Sequence, residues 1–73
     1  MKTIVNCEVN KPYIIKKLHT EGALRQRLIS FGILKGREIK FLRATPTKST
    51  IEIKVGKMNI AMRADEAIKI EIA

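Results

Sequence analysis

Few residues of this chain have side chains that could do catalysis or bind a metal. Cys7 and His19 are the only soft ligands, and their spacing matches no zinc motif. Adding Glu21 would give an iron or zinc site, which is one alternative. The simpler interpretation is a buried cysteine acting as a small apolar side chain and a surface histidine at a strand end. No third group orients Cys7 and His19 for nucleophilic attack. We therefore expect no enzymatic activity, no catalytic residues, no metal site and no cofactor.

Positive charge is the strongest chemical feature of the sequence. The formal net charge is +8, and the segment from Lys11 to Arg63 holds 13 Lys or Arg against three Glu. Such charge suits an acidic protein surface, a nucleic acid or an anionic membrane, or simply keeps a small protein soluble. Small barrels that bind nucleic acids usually expose aromatic rings for base stacking. This chain has only three aromatic residues, namely Tyr13, Phe31 and Phe41. The charge therefore keeps a basic nucleic-acid-binding barrel as the alternative function, and the scarcity of aromatic residues makes it the weaker one.

One short helix must carry part of this charge. Its apolar residues recur at i, i+4 and i+7 and so share one face, as Leu24, Leu28 and Phe31. Thr20 is predicted as the N-cap of the helix. Gly32 suits the left-handed position that follows a helix, which would bring Ile33 against Leu28 in a Schellman cap.

The rest of the chain predicts short strands. Apolar and polar residues alternate, or β-formers cluster, at 13–19, 38–43, 49–55, 59–62 and 68–72. The apolar stretch 4–9 is predicted as an edge strand or an ordered lead-in, and 63–67 as one helical turn. A chain of 73 residues has room for a single domain, 1–73. Short strands joined by tight turns indicate a small sandwich or barrel, and closing a barrel would remove unpaired edges.

Cysteine content and hydropathy give the expected compartment. One cysteine, Cys7, cannot form an internal disulfide, whereas small secreted domains usually carry several bridges. No apolar run is long enough to span a membrane or to act as a signal peptide. We therefore expect a cytoplasmic protein.

The order of these pieces resembles the FeoA-like domain family. That family has an arginine-bearing "RL" helix, a cap of the form hydrophobic–glycine–hydrophobic, a glycine turn and a strand, as in Gly22–Ile39. Ala44–Pro46 is similar to the turn that follows. The next strand and turn of the family resemble Ile51–Gly56. Its closing pattern of a strand, a helical turn and a last strand resembles Ile60–Ile70.

The resemblance implies both a fold and a function. The fold is mainly β, an SH3-like small β-barrel of about five strands with one short helix after the first strand. The function is that of a small non-enzymatic cytoplasmic accessory protein of bacterial ferrous iron transport. It would dock on the cytoplasmic part of the FeoB-type permease, peripheral to the membrane, and modulate its assembly or activity. Related domains occur in metal-dependent repressors, but this chain has no room for their DNA-binding helices, so no nucleic acid is expected as partner.

The candidate partner-binding surface consists of polar side chains on the helix and in the turn after it. They are Arg25, Gln26, Arg27, Lys35 and Arg37. Charge reversal at Arg25 and Arg27 is expected to weaken transporter binding without lowering thermal stability. A homo-oligomer is also compatible with the sequence.

Overall fold

Five strands form one antiparallel sheet. The computed structural model describes residues 1–73, and its elements are β1 (Pro12–Leu18), α1 (Gly22–Ser30), β2 (Glu38–Ala44), β3 (Thr50–Val55), β4 (Met58–Arg63), α2 (Ala64–Ala67) and β5 (Ile70–Ile72). The strand order is β4-β3-β2-β1-β5. All five predicted strands are confirmed to within two residues. The largest difference is at β5, because the Ile68 N–H donates to the Ala64 carbonyl and extends the helical turn.

Alternation in the sequence decides which sheet face is buried. In β3 the residues Ile51, Ile53 and Val55 are buried, whereas Lys54 between them is exposed. The register places Ile53 opposite Ile60 of β4, so the apolar faces of neighbouring strands coincide. The sheet therefore presents one continuous apolar side to the core.

The core is aliphatic, as the scarcity of aromatic residues predicted. It contains 16 buried apolar side chains. Those that are both large and fully buried are Ile4, Ile15, Leu28, Ile33, Ile39, Ile53 and Ile70. Leu24 and Phe31 of the α1 face are partly buried against this cluster, which confirms the predicted apolar stripe of the helix.

The end of α1 is a Schellman cap, as predicted. The Ile33 N–H donates to the Leu28 carbonyl at 3.0 Å, and the Gly32 N–H donates to the Ile29 carbonyl at 2.9 Å. Gly32 has φ +85, a left-handed conformation that disfavours a Cβ. Leu28 and Ile33 are both 0% exposed. The cap therefore fixes the direction of the chain as it leaves the helix.

The start of α1 differs from the prediction. Glu21, not Thr20, is the N-cap residue, and its side chain makes no capping hydrogen bond. Glu21 is extended, with φ −149 and ψ 171, so the helix begins one residue later than expected. The Thr20 hydroxyl is buried without a hydrogen-bond partner. The order of α1 thus depends on its apolar face and its C-terminal cap.

The N-terminal residues form an ordered lead-in. Residues Ile4–Asn6 make a 3₁₀ turn, and the Ile72 N–H donates to the Lys2 carbonyl at 2.9 Å. Thr3 forms an isolated bridge to Glu71 of β5. This segment covers the outer edge of β5. Helix α1 has nine residues, and neither helix is long and apolar enough to cross a membrane.

Candidate partner-binding surface

Helix α1 presents three of the five predicted contact residues to solvent. Arg25, Gln26 and Arg27 are exposed, while Leu28 points into the core. This follows from the helical period, since the apolar stripe occupies the opposite side. The helix surface is therefore available to a partner.

Arg27 is held by a contact that sequence spacing did not indicate. Its Nη2 donates to Glu66 Oε1 of α2 at 2.7 Å. This bond links the two helices through residues that are 39 positions apart in the sequence. An exposed ion pair of this kind contributes about 0–1 kcal/mol. Reversing Arg27 would place two carboxylates together, so its substitution affects stability as well as any partner. Arg25 makes no ion pair and is the cleaner probe.

Lys35 and Arg37 lie in the turn that follows the cap. Gly36 between them has φ +89, and its N–H donates to the Ile15 carbonyl at 2.8 Å. The Arg37 carbonyl in turn accepts the Ile15 N–H at 2.9 Å. This turn is thus pinned to β1, and both cationic side chains are exposed.

The turn also contacts the end of α1. A Cβ placed on Gly32 would lie 3.5 Å from Arg37 Nη2, so the Arg37 guanidinium lies over the C-terminal cap. A cation at that position is favourable for the helix dipole. The five predicted residues therefore lie on two adjoining segments, helix α1 and the turn after it, and the C-terminal cap of the helix connects these segments.

Cys7, His19 and Glu21 do not form a site. Cys7 is buried and its Sγ donates to the Thr3 carbonyl at 3.5 Å. Burial raises the pKa of the Cys7 thiol, which makes it a poor nucleophile. His19 Nε2 lies 2.6 Å from Glu71 Oε1, so its acidic neighbour is not Glu21. No three His, Cys, Asp or Glu side chains group closely enough to hold a metal ion.

The contact of His19 with Glu71 belongs to a small charged cluster. Lys16 Nζ lies 3.5 Å from Glu71 Oε2. The hydrogen bond from His19 is the main cause that holds the pKa of the Glu71 carboxyl below its usual value; burial opposes it in part, and the charge of Lys16 adds a smaller lowering effect. His19 and Glu71 are 52 residues apart and meet because β1 pairs with β5. No local sequence signal predicted this cluster.

The aromatic rings are not available for base stacking. Tyr13 is buried, and its hydroxyl accepts the Glu8 N–H at 3.1 Å. Lys2 Nζ lies 4.8 Å from the centre of the Tyr13 ring, which gives a cation–π contact. Phe31 and Phe41 are partly buried against the core. These positions weaken the nucleic-acid alternative.

Solved structures define the class of the protein. The chain is similar to the solution structure of iron(II) transport protein A from Clostridium thermocellum, with a TM-score of 0.90 and 31% identity over 97% of this chain and 44% of that chain. It is also similar to a zinc complex of Stenotrophomonas maltophilia FeoA, described as a procaryotic SH3 domain protein, with a TM-score of 0.83 and 21% identity over 100% of this chain and 91% of that one. The fold is therefore an SH3-like small β-domain, as predicted.

Sequence comparison then gives the family. The profile of the FeoA domain matches residues 2–73, and the chain belongs to this family. A Helicobacter pylori protein provisionally named Fe(2+) transport protein A is 33% identical over 54 residues, which are 74% of this chain and 69% of that protein. A Porphyromonas gingivalis protein named as a fusion of Fe(2+) transport protein A with the Fe(2+) transporter FeoB is 24% identical over 59 residues, 81% of this chain and 7% of the fusion. The family is thus associated with ferrous iron transport.

Proposed function

We propose that this chain is a non-enzymatic cytoplasmic accessory protein of ferrous iron transport. In this role it docks on the cytoplasmic part of a FeoB-type permease and modulates the assembly or activity of that permease. The observation that carries the proposal is the Porphyromonas gingivalis fusion, in which a region similar to this chain and FeoB share one polypeptide. Fusion keeps two domains at a high effective concentration, which is useful when they act together.

The surface chemistry supports a protein partner. The exposed group of Arg25, Gln26, Arg27, Lys35 and Arg37 is suited to an acidic surface, and complementary charge would speed association. An accessory domain can change transporter activity only if it binds one transporter state more tightly than another. The proposal therefore includes a difference in affinity between two states of the permease.

The test is a calorimetric titration of this protein with the purified cytoplasmic domain of a FeoB-type permease, which measures the affinity of the two proteins. Reversal of two of the three unpaired charges, Arg25→Glu with Lys35→Glu, should weaken binding by about tenfold or more if both contact the partner. Arg27 is left unchanged because of its contact with Glu66. Thermal unfolding of the variant, followed by circular dichroism, checks that the fold is retained.

The matched control applies the same change of charge elsewhere. Lys48 is exposed and makes no ion pair, and it lies in the loop between β2 and β3, at the opposite end of β2 from Arg37. Lys48→Glu should leave binding nearly unchanged, whereas the single reversal Arg25→Glu, which changes the net charge equally, should weaken it. An equal loss in this control would reduce the effect to net charge. Absence of binding by the unmodified protein, together with strongly salt-dependent binding to DNA or RNA, would favour the nucleic-acid alternative.

A further inference from the structure

One edge of the sheet is left open. Strand β4 stands at the end of the strand order and pairs only with β3. The opposite edge, at β5, is covered by the N-terminal segment through Lys2 and Thr3. Pairing of β4 with β5 would remove both edges, but the two strands stand at opposite ends of the strand order.

The register shows which main-chain groups of β4 point outward. Val55 and Met58 flank the two-residue turn Gly56–Lys57, and residues flanking such a turn form a hydrogen-bonded pair. The Ala64 N–H donates to the Ser49 carbonyl at 2.9 Å, which agrees with a pattern in which every second residue from Met58 onward bonds to the neighbouring chain. Alternate residues of β4 therefore bond to β3, and the other three turn their main-chain groups away from it; these three are Asn59, Ala61 and Arg63.

These outward groups have no partner within the molecule. Neither the side-chain hydrogen bonds nor the backbone bonds outside the ladders involve the N–H or carbonyl of Asn59 or Ala61. Both residues are exposed. The strand Met58–Arg63 contains no proline, no register shift and no buried charge, which are the usual means of blocking an edge. The edge is thus ready to pair with an extended chain.

A groove runs beside this edge. It has a volume of about 430 Å³ and lies between β4 and the two helices. Its large apolar residues are Phe31, Ile60 and Met62, and the ion pair of Arg27 with Glu66 also lines it, together with Ala61 and Arg63. An extended chain laid along β4 would direct every second side chain toward the apolar part of this groove, formed by Phe31, Ile60 and Met62. A helix and an edge strand that bracket a groove suit peptide binding by strand addition.

The other face of the edge has an excess of positive charge. Glu52, opposite Ala61, is paired with Arg43, whereas Lys40 and Lys54 make no ion pair. Lys40 and Lys54 are direct cross-strand neighbours, and Lys54 is in turn opposite Asn59. Like charges directly opposite each other are destabilising, and an acidic side chain of a partner would reduce this repulsion by charge attraction. Arg63 is on the same side of β4; its Nε lies 3.6 Å from Asp65 Oδ1, and its side chain is 77% exposed and so remains accessible to a second anion. An added strand would direct its remaining side chains toward these groups.

We infer that the outer edge of β4 binds an extended segment of an acidic partner protein as a sixth strand. Apolar side chains of that segment occupy the groove beside Phe31, and the alternate acidic side chains face Lys54 and Arg63. A second copy of this chain is a poorer occupant, because each copy carries a net charge of +8. The inference deepens the proposed function and rests on it only for the identity of the partner.

The test uses nuclear magnetic resonance and a ten-residue peptide of alternating valine and glutamate. The amides of Asn59, Ala61 and Arg63 should shift most and exchange more slowly with solvent, since they gain hydrogen bonds. In antiparallel addition the glutamate nitrogens face β4. N-methylation of the glutamates should therefore weaken binding by about tenfold or more, and N-methylation of the valines should leave it nearly unchanged. Equal binding by both methylated peptides would overturn the inference.

Two variants of the protein test the same edge. Ala61→Pro removes an outward N–H without removing a bond to β3, and Ala61→Ser is its matched control. Ala61→Pro should lose peptide binding about tenfold, while Ala61→Ser keeps it. Peptide shifts spread over the lysines of both faces would overturn the inference. A further contrary result would be that, without peptide, these amides are protected from hydrogen exchange and that this protection rises with protein concentration. The occupant of the edge would then be a second copy of the chain.

The cytoplasmic domain of the permease separates this inference from the proposed function. If that domain binds Ala61→Pro and Ala61→Ser equally, the transporter docks at another surface. The inference that the β4 edge binds the transporter is then wrong, and the proposed function stands. If it fails to bind the unmodified protein while the peptide results hold, the proposed function is wrong and the edge site is retained.

Discussion

Gly32 determines how helix α1 is joined to the rest of the domain, and its substitution should have a measurable cost. Its φ of +85 disfavours a Cβ by about 1–2 kcal/mol. A Cβ built there meets its nearest atoms, on Arg37 and Val55, at 3.5 and 3.7 Å, which is ordinary contact, so no clash adds to this cost. Gly32→Ala should lower the free energy of unfolding by about 1–2 kcal/mol, which in a domain of this size lowers Tm by about 4–16 °C.

Three variants at this position make the test specific. Gly32→Asn should cost less than Gly32→Ala, because asparagine tolerates the left-handed conformation, and Gly32→Val should cost more, because a β-branched residue tolerates it least. Thermal unfolding followed by far-ultraviolet circular dichroism measures the order. If alanine were as stable as glycine, or if asparagine cost as much as valine, the cap would not constrain α1 as described.

Three further substitutions probe the core, the charged cluster and the buried thiol. Leu28→Ala removes a fully buried side chain and should cost about 3 kcal/mol in urea unfolding, whereas Ile29→Ala, at a residue 42% exposed, should cost far less; similar costs would contradict the assigned helix face. Because the pKa of Glu71 is lowered in the folded state, its contact with His19 stabilises the protein above the ordinary carboxyl pKa and is lost as the pH falls through the lowered value. The difference in urea midpoint between wild type and Glu71→Gln should therefore shrink from pH 7 to pH 3, and a constant difference would contradict this linkage. Cys7 should react with a disulfide reagent much more slowly in the native protein than in denaturant, and equal rates would show that it is not buried.

Much of the fold could be predicted because its signals are local. The cap at Gly32 depends on residues within one helical turn, so its bonds and its contact between Leu28 and Ile33 followed from spacing alone. The strands followed from alternation. The N-cap was predicted wrongly at Thr20, since a suitable side chain near a helix start does not fix which residue leaves the extended conformation.

The candidate site was predictable only in part. The exposure of Arg25 followed from the helical stripe, and that of Lys35 and Arg37 from the turn. The link from Arg27 to Glu66 did not, because it joins residues far apart in the chain. That contact decides which substitutions test the surface without disturbing the fold.

The sequence by itself determined the domain class, the apolar face and cap of α1, and the excess of positive charge. These are properties of residue type and of spacing over a few positions. The tertiary structure alone decided how the strands are ordered, and hence that His19 meets Glu71 and that β4 keeps a free edge beside α1. Pairing between distant strands depends on the packing of the whole sheet, which no local pattern specifies.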